Sequence, residues 1–117
     1  MKNKKIVVIT GGSRGIGFEA AKQFVKAGDK VYITYLKSSK SYFKENKIFK
    51  SKNLKLIKCD MRQLSKIKSL KKILKKEGRV DVLVNNVGDV IRRSSFEKSD
   101  DKLWMDTFNL NTFSAIR

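Results

Sequence analysis

Four consecutive apolar residues, Ile6-Val7-Val8-Ile9, run into Thr10-Gly11-Gly12-Ser13-Arg14-Gly15-Ile16-Gly17, and this junction constrains the chain more than any other stretch. A short β-branched run reads as a buried strand, and beyond the glycines Ile16, Ala20, Ala21, Phe24 and Val25 recur at helical spacing. The unit is strand, glycine-rich turn, helix. Gly11 and Gly12 open backbone angles that a Cβ forbids, Gly15 lets the chain approach a pyrophosphate, and Gly17 lets the helix lie close on the strand. The first-turn N–H groups, with the positive end of the helix dipole behind them, then face a phosphate. The spacing Gly-x3-Gly-x-Gly differs from the general G-x-G-x-x-G fingerprint, so the glycines alone leave an ordinary tight turn as the alternative.

The rest of the chain repeats the same alternation. Ala27-Gly28-Asp29 is a helix stop, and Lys30–Tyr35 alternates β-formers as a second strand, parallel to the first across a right-handed crossover. Its carboxyl end is expected beside the glycine loop. Between Lys37 and Lys52, Tyr42, Phe43, Ile48 and Phe49 could line one side of a helix, but no clear caps frame it. Asn53–Asp60 gives a short third strand. Leu64, Ile67, Leu70, Ile73 and Leu74 form the apolar stripe of a crossover helix that stops at Gly78. Asp81–Asn85 is a fourth strand, apolar on both faces as a central parallel strand must be. A polar turn and a loop over 90–98 follow. Ser99-Asp100-Asp101 supplies a cap and first-turn acids for a last helix carrying Leu103, Trp104, Thr107, Phe108, Leu110 and Ile116. The fold class is α/β, a doubly wound parallel sheet of about four strands, with no internal linker.

Composition narrows the function classes. The chain has 117 residues, enough for one domain or part of one. No segment approaches the roughly 18 apolar residues of a membrane span, and Met1-Lys2-Asn3-Lys4-Lys5 leads straight into the first strand, so a cytoplasmic protein is expected. One cysteine, Cys59, and no histidine leave neither an internal disulfide nor a soft-metal cluster. The formal charge of +17 raises nucleic acid as a partner. Nearly all the basic residues between Lys37 and Arg79 are lysines spaced over exposed helix faces, however, with no arginine-and-aromatic patch for stacking bases, which disfavours that partner.

Thr10-Gly-x3-Gly-Ile-Gly resembles the nucleotide-binding signature of the short-chain dehydrogenase/reductase family. Asn85-Asn86-Val87-Gly88 resembles the family's Asn-Asn-Ala-Gly motif, and Asn109, in Phe108-Asn109-Leu110, its asparagine in the following helix, with Asn111 as the register alternative. The three lie in the family's order and spacing over the whole chain, and the closest look is to 3-oxoacyl-acyl-carrier-protein reductases. The resemblance implies a Rossmann-type fold of which residues 1–117 are the N-terminal part of a single NAD(P)-binding domain. It implies a cofactor site in which Gly11, Ser13, Arg14, Gly15, Ile16 and Gly17 cradle the pyrophosphate, Asp60 and Met61 flank the adenine, and Asn86, Val87 and Gly88 border the ribose. Asn85 would tie strands together, and Val87 narrows the wall where the family has Ala. Asn109 would belong to the proton relay. The implied partners are a nicotinamide dinucleotide and, in a complete protein, a small carbonyl or alcohol substrate, in a homo-oligomer.

An NAD site of this kind places an acid about 20 residues past the glycine loop. Here no acid occurs between Asp29 and Glu45, while Lys37 follows the second strand and Arg14 sits in the loop, so NADP(H) is expected over NAD(H). The family's catalytic Ser and Tyr-x3-Lys have no counterpart: Tyr32, Tyr35 and Tyr42 are followed four residues on by Leu36, Ser39 and Asn46. The expected function is the cofactor-binding part of an oxidoreductase, cut short by expression of a fragment, a gene break or a frameshift, and inactive alone. The alternatives are a nucleotide-binding or partner-completed protein without catalysis, and a basic interaction module.

Overall fold

Ile6–Ile9 (β1) is buried along its whole length because it has a parallel neighbour on each side. The computed structural model describes residues 3–117; the Met1-Lys2 start of the basic lead into β1 lies outside the described residues. On one side Val7 and Ile9 stand opposite Val31 and Ile33 of Lys30–Tyr35 (β2); on the other they face Val82 and Val84 of Val82–Val84 (β4). Leu54–Lys58 (β3) pairs parallel with the far side of β2, giving the order β3-β2-β1-β4. The chain therefore builds outward from β1 in one direction and then crosses to its other flank, which is the half-sheet of a Rossmann-type fold.

The period of two along β1 and β2 sorts side chains to opposite faces. Val7, Ile9, Val31 and Ile33 form one core with Ala21 of the helix Gly15–Lys26 (α1), and Ala20, Phe24 and Val25 pack against it. Ile6, Val8 and Tyr32 occupy the other face with Ile57 and Leu74. There the helix Leu64–Lys75 (α3) turns Ile67 and Leu70 onto Cys59 and Met61 and leaves its lysines in water. Burying each such aliphatic side chain stabilises by about 1.5–3 kcal/mol, so a sheet covered on both faces holds β1 most firmly. Gly28 and Gly78 end α1 and α3 as the sequence predicts.

Four features sharpen or change what the sequence predicts. Lys40–Glu45 is a short helix (α2) followed by a 3-10 turn over Lys47–Lys50, and its cap is Ser39, whose hydroxyl accepts from the Tyr42 N–H at 3.2 Å. An aromatic cluster holds the pair in place: Phe43 sits edge-on to Tyr35 and Phe49, and Phe49 tilts onto Phe18. Among the described residues β4 lies at the sheet edge, paired with β1 alone, and Leu83 is 57% exposed. The helix Asp101–Phe108 (α4) is capped by the Asp100 carboxylate, which accepts from Leu103 N–H at 2.8 Å, while Ser99 accepts the Trp104 indole N–H. Finally, α4 opens into a π-helical turn over Asn109–Phe113 before Ser114–Ile116 (α5), where the sequence predicts one continuous helix. Among the described residues no helix is long and apolar enough to cross a membrane.

Candidate functional site

The carboxyl ends of β1 and β4 diverge at the point where the chain changes flank, the place where open α/β sheets bind ligands. A cleft of about 900 Å³ opens there. One wall is the glycine loop, with Gly11, Ser13, Arg14, Gly15 and Ile16; the facing wall is Asn86, Val87, Gly88 and Asp89. Leu36, Lys37 and Ser38, just past β2, close one end.

Two threonines build this cleft. Thr34 of β2 accepts the Gly11 N–H on its hydroxyl at 3.0 Å and the Gly12 N–H on its carbonyl at 3.0 Å, bending the chain off β1. Thr10 accepts from the N–H groups of Asn86 at 3.1 Å and Val87 at 3.4 Å, fastening one wall to the other. Gly11 and Gly15 take φ of +64° and +59°, and a Cβ on Gly15 would meet nothing within 4 Å, so the loop stays open to a ligand. Gly12 needs space and not an unusual angle: its φ is not positive, and a Cβ would lie 2.6 Å from Ile33 Cγ2. Gly17 makes room for the Asn86 carboxamide, which would stand 2.5 Å from a Cβ there and donates to the Gly11 carbonyl at 3.0 Å. The tie between the strand ends thus runs through Asn86, one position beyond Asn85.

The end of the cleft past β2 is cationic. Arg14 Nε donates to Ser38 Oγ at 3.4 Å, Ser38 Oγ is 2.8 Å from Ser13 Oγ, and the guanidinium lies 4.1 Å from the centroid of the Tyr42 ring. The Tyr42 hydroxyl donates to the Ser13 carbonyl. Among the described residues no carboxylate lies in ion-pair distance of Arg14 or Lys37. Arg14, Lys37, Ser13 and Ser38 thus line this end of the cleft beside the start of α1, a lining whose chemistry suits an anion.

Asp60 and Met61 stand outside the cleft wall, and Arg62 takes their place in it. The Asp60 side chain is only 11% exposed; it accepts from Arg62 Nε and Nη2 at 2.9 Å each, from the Arg62 N–H at 3.0 Å and from Gln63 at 3.1 Å. The Arg62 fork, foremost, holds its carboxyl down at about 2. Met61 is buried against Cys59. Asn109 bonds the Arg62 carbonyl at 3.4 Å and Arg117 at 3.1 Å, away from Gly88. Asn111 is the asparagine that reaches the cleft loop: it accepts the Asp89 N–H and donates to the Asp89 carbonyl, both at 2.9 Å, and its Oδ1 would stand 2.9 Å from a Cβ on Gly88. The π-helical turn sets it there. Sequence reading missed Thr34, Ser38, Tyr42 and Arg62; only Thr34, a polar residue inside an apolar strand, carried a visible signal.

The sequence model of short chain dehydrogenases matches residues 5–117. An acetoacetyl-CoA reductase of an Acinetobacter species is 29% identical over 115 residues, 95% of this chain and 46% of its own. A short-chain dehydrogenase structure from Streptomyces avermitilis superposes with a TM-score of 0.84 at 29% identity, over 97% of this chain and 41% of its own. An actinorhodin polyketide ketoreductase variant solved with NADPH gives 0.82 at 27% identity, over 97% and 44%. The chain spans less than half the length of each of these three proteins.

Proposed function

Given that the chain belongs to the short-chain dehydrogenase family, we propose that residues 1–117 are the NADP(H)-binding part of a reductase acting on a carbonyl or alcohol. One observation carries the choice of cofactor: Arg14, bonded to Ser38, and Lys37 line the cleft at the end of β2, where an NAD site would hold an acid. The glycine loop, with its open Gly15 and the start of α1, suits the pyrophosphate, and Asn86, Val87 and Gly88 line the side given to the ribose. Asp60, locked by Arg62, acts on the adenine side as a support for Arg62 more than as a direct partner. A bound nicotinamide supplies the hydride. Of the two asparagines, Asn111 has the position that suits the relay, beside Gly88 and Asp89. Residues 1–117 hold no Tyr-x3-Lys pair to protonate a developing alkoxide: Tyr32, Tyr35 and Tyr42 are followed four residues on by Leu36, Ser39 and Asn46.

Titration of NADPH and NADH into residues 1–117, followed by nicotinamide fluorescence, tests the reading. Charge-assisted bonds to a 2′-phosphate are worth about 1.5–3 kcal/mol each, which gives NADPH an advantage of about tenfold to a hundredfold or more. Arg14→Ala should erode that advantage and leave NADH nearly untouched. Equal affinities in the unaltered protein, or an Arg14→Ala change that weakens both alike, would refute it.

A further inference from the structure

We propose that Tyr42 is a positioning residue for cofactor selectivity, holding the Arg14 guanidinium at the cationic end of the cleft before a ligand arrives. This rests on the NADP(H) reading above. Arg14 is the residue just before α1, with extended backbone at φ −143° and ψ 163°, so the chain sets its Cα at the rim of the cleft. Its side chain is long and exposed, and an arginine in water samples many rotamers, most of them facing away from the cleft. Two contacts restrict it. The guanidinium lies over the Tyr42 ring at 4.1 Å, and Nε points at Ser38 Oγ. With one face on the ring and Nε engaged by Ser38, the two terminal nitrogens remain for a planar, bidentate approach of a phosphate.

Tyr42 is itself held from three directions. Its N–H donates to the Ser39 cap, its carbonyl accepts from Asn46 Nδ2 at 2.8 Å, and its hydroxyl donates to the Ser13 carbonyl. Its ring packs against Phe43 and Phe49, with centroids 5.7 and 5.5 Å away. Helix α2, which presents no buried residue of its own, thereby fixes a ring under a cation that belongs to the glycine loop. A tyrosine serving only as packing would have no reason to bear on the discrimination between two nucleotides differing by one phosphate.

The probes are 2′,5′-ADP and 5′-AMP, which differ by that phosphate and omit the nicotinamide. The readout is the ratio of their dissociation constants, measured calorimetrically on residues 1–117. Tyr42→Leu should lower the preference for 2′,5′-ADP by about two- to fivefold, the weight of an exposed cation–π contact, with 5′-AMP little changed. Tyr42→Phe, which keeps the ring, should hold the preference. A Tyr42→Leu ratio equal to that of the unaltered protein, while Arg14→Ala lowers it, overturns the role of Tyr42 and leaves the NADP(H) reading standing. An unaltered protein without preference, or Arg14→Ala without effect, overturns both. Should Tyr42→Leu fail to fold, the Arg14 Hε and Hδ resonances of the unaltered protein decide: upfield ring-current shifts that persist in Tyr42→Phe support the clamp, and random-coil positions refute it.

Discussion

Replacing Thr10 by valine removes one oxygen from a side chain of nearly the same shape, and it tests whether the two walls of the cleft are held together by hydrogen bonds or by packing. Thr10 is 4% exposed. Its hydroxyl is the acceptor for the Asn86 N–H at 3.1 Å and, more weakly, the Val87 N–H at 3.4 Å. Valine leaves both donors without that acceptor. A buried donor stripped of its partner costs about 1–3 kcal/mol, so with one good bond and one long one Thr10→Val should destabilise by about 2–3 kcal/mol. For a chain of this size that corresponds to a fall in melting temperature of about 8–12 °C. Thr10→Ser keeps the oxygen and loses one methyl, for about 1 kcal/mol. If packing alone governed the site, the order would reverse and valine would be the better tolerated. Urea melts at matched low protein concentration give the order, and amide exchange at Asn86 and Val87 localises the effect. A Thr10→Val protein at least as stable as Thr10→Ser, with those two amides no less protected than before, would refute the reasoning.

The depressed Asp60 carboxyl contributes stability that is fully present above about pH 4 and is lost as the pH falls towards 2. Asp60→Asn should therefore flatten the acid limb of a melting-temperature profile, and an unchanged limb would show that Asp60 does not carry the loss of stability in acid. The apolar edge at β4 is a template for pairing, and Leu83→Lys should reduce self-association in sedimentation velocity while melting changes little; a monomeric unaltered chain would contradict this. Residues 1–117 with NADPH should reduce no carbonyl substrate above background, since general acid catalysis is worth about 10²–10⁴-fold, and steady absorbance loss at ordinary enzyme rates would refute the missing-donor argument.

β1, β2, α1 and α3 were legible because each depends on a local period and a local stop: Lys30–Tyr35 alternates, and Leu64, Ile67, Leu70 and Leu74 recur beneath a lysine face. The elements that escaped are those decided by distant partners. α2 exists because Phe43 and Phe49 find Tyr35 and Phe18, and its cap was hidden in a run of serines at 38, 39 and 41. Ser99 and Asp100 were both fit to cap α4, and the indole of Trp104 took the serine. In the site, the glycine spacing placed the loop correctly but not the reason for each glycine: Gly17 answers to Asn86, nearly 70 positions away in sequence, and Gly12 to Ile33. Asn109 and Asn111 could not be separated by helical phase, since a π-helical turn changes the phase between them. Asp60 carried no sign that Arg62, two residues on, would claim its carboxylate.

The strand order carries a consequence for the time course of assembly. β1, α1 and β2 are neighbours in sequence and can close on one another as soon as they are made, whereas β4 joins the other flank of β1 across about 75 residues. During synthesis at roughly 5–20 residues per second, the 46 residues between the end of β2 at Tyr35 and the start of β4 at Val82 take about 2–9 s to emerge. Throughout it, the flank of β1 that later receives β4 is bare. Where β1, α1 and β2 close first, the glycine loop has one wall missing, and the Thr10 hydroxyl waits for the two amides that complete the cleft.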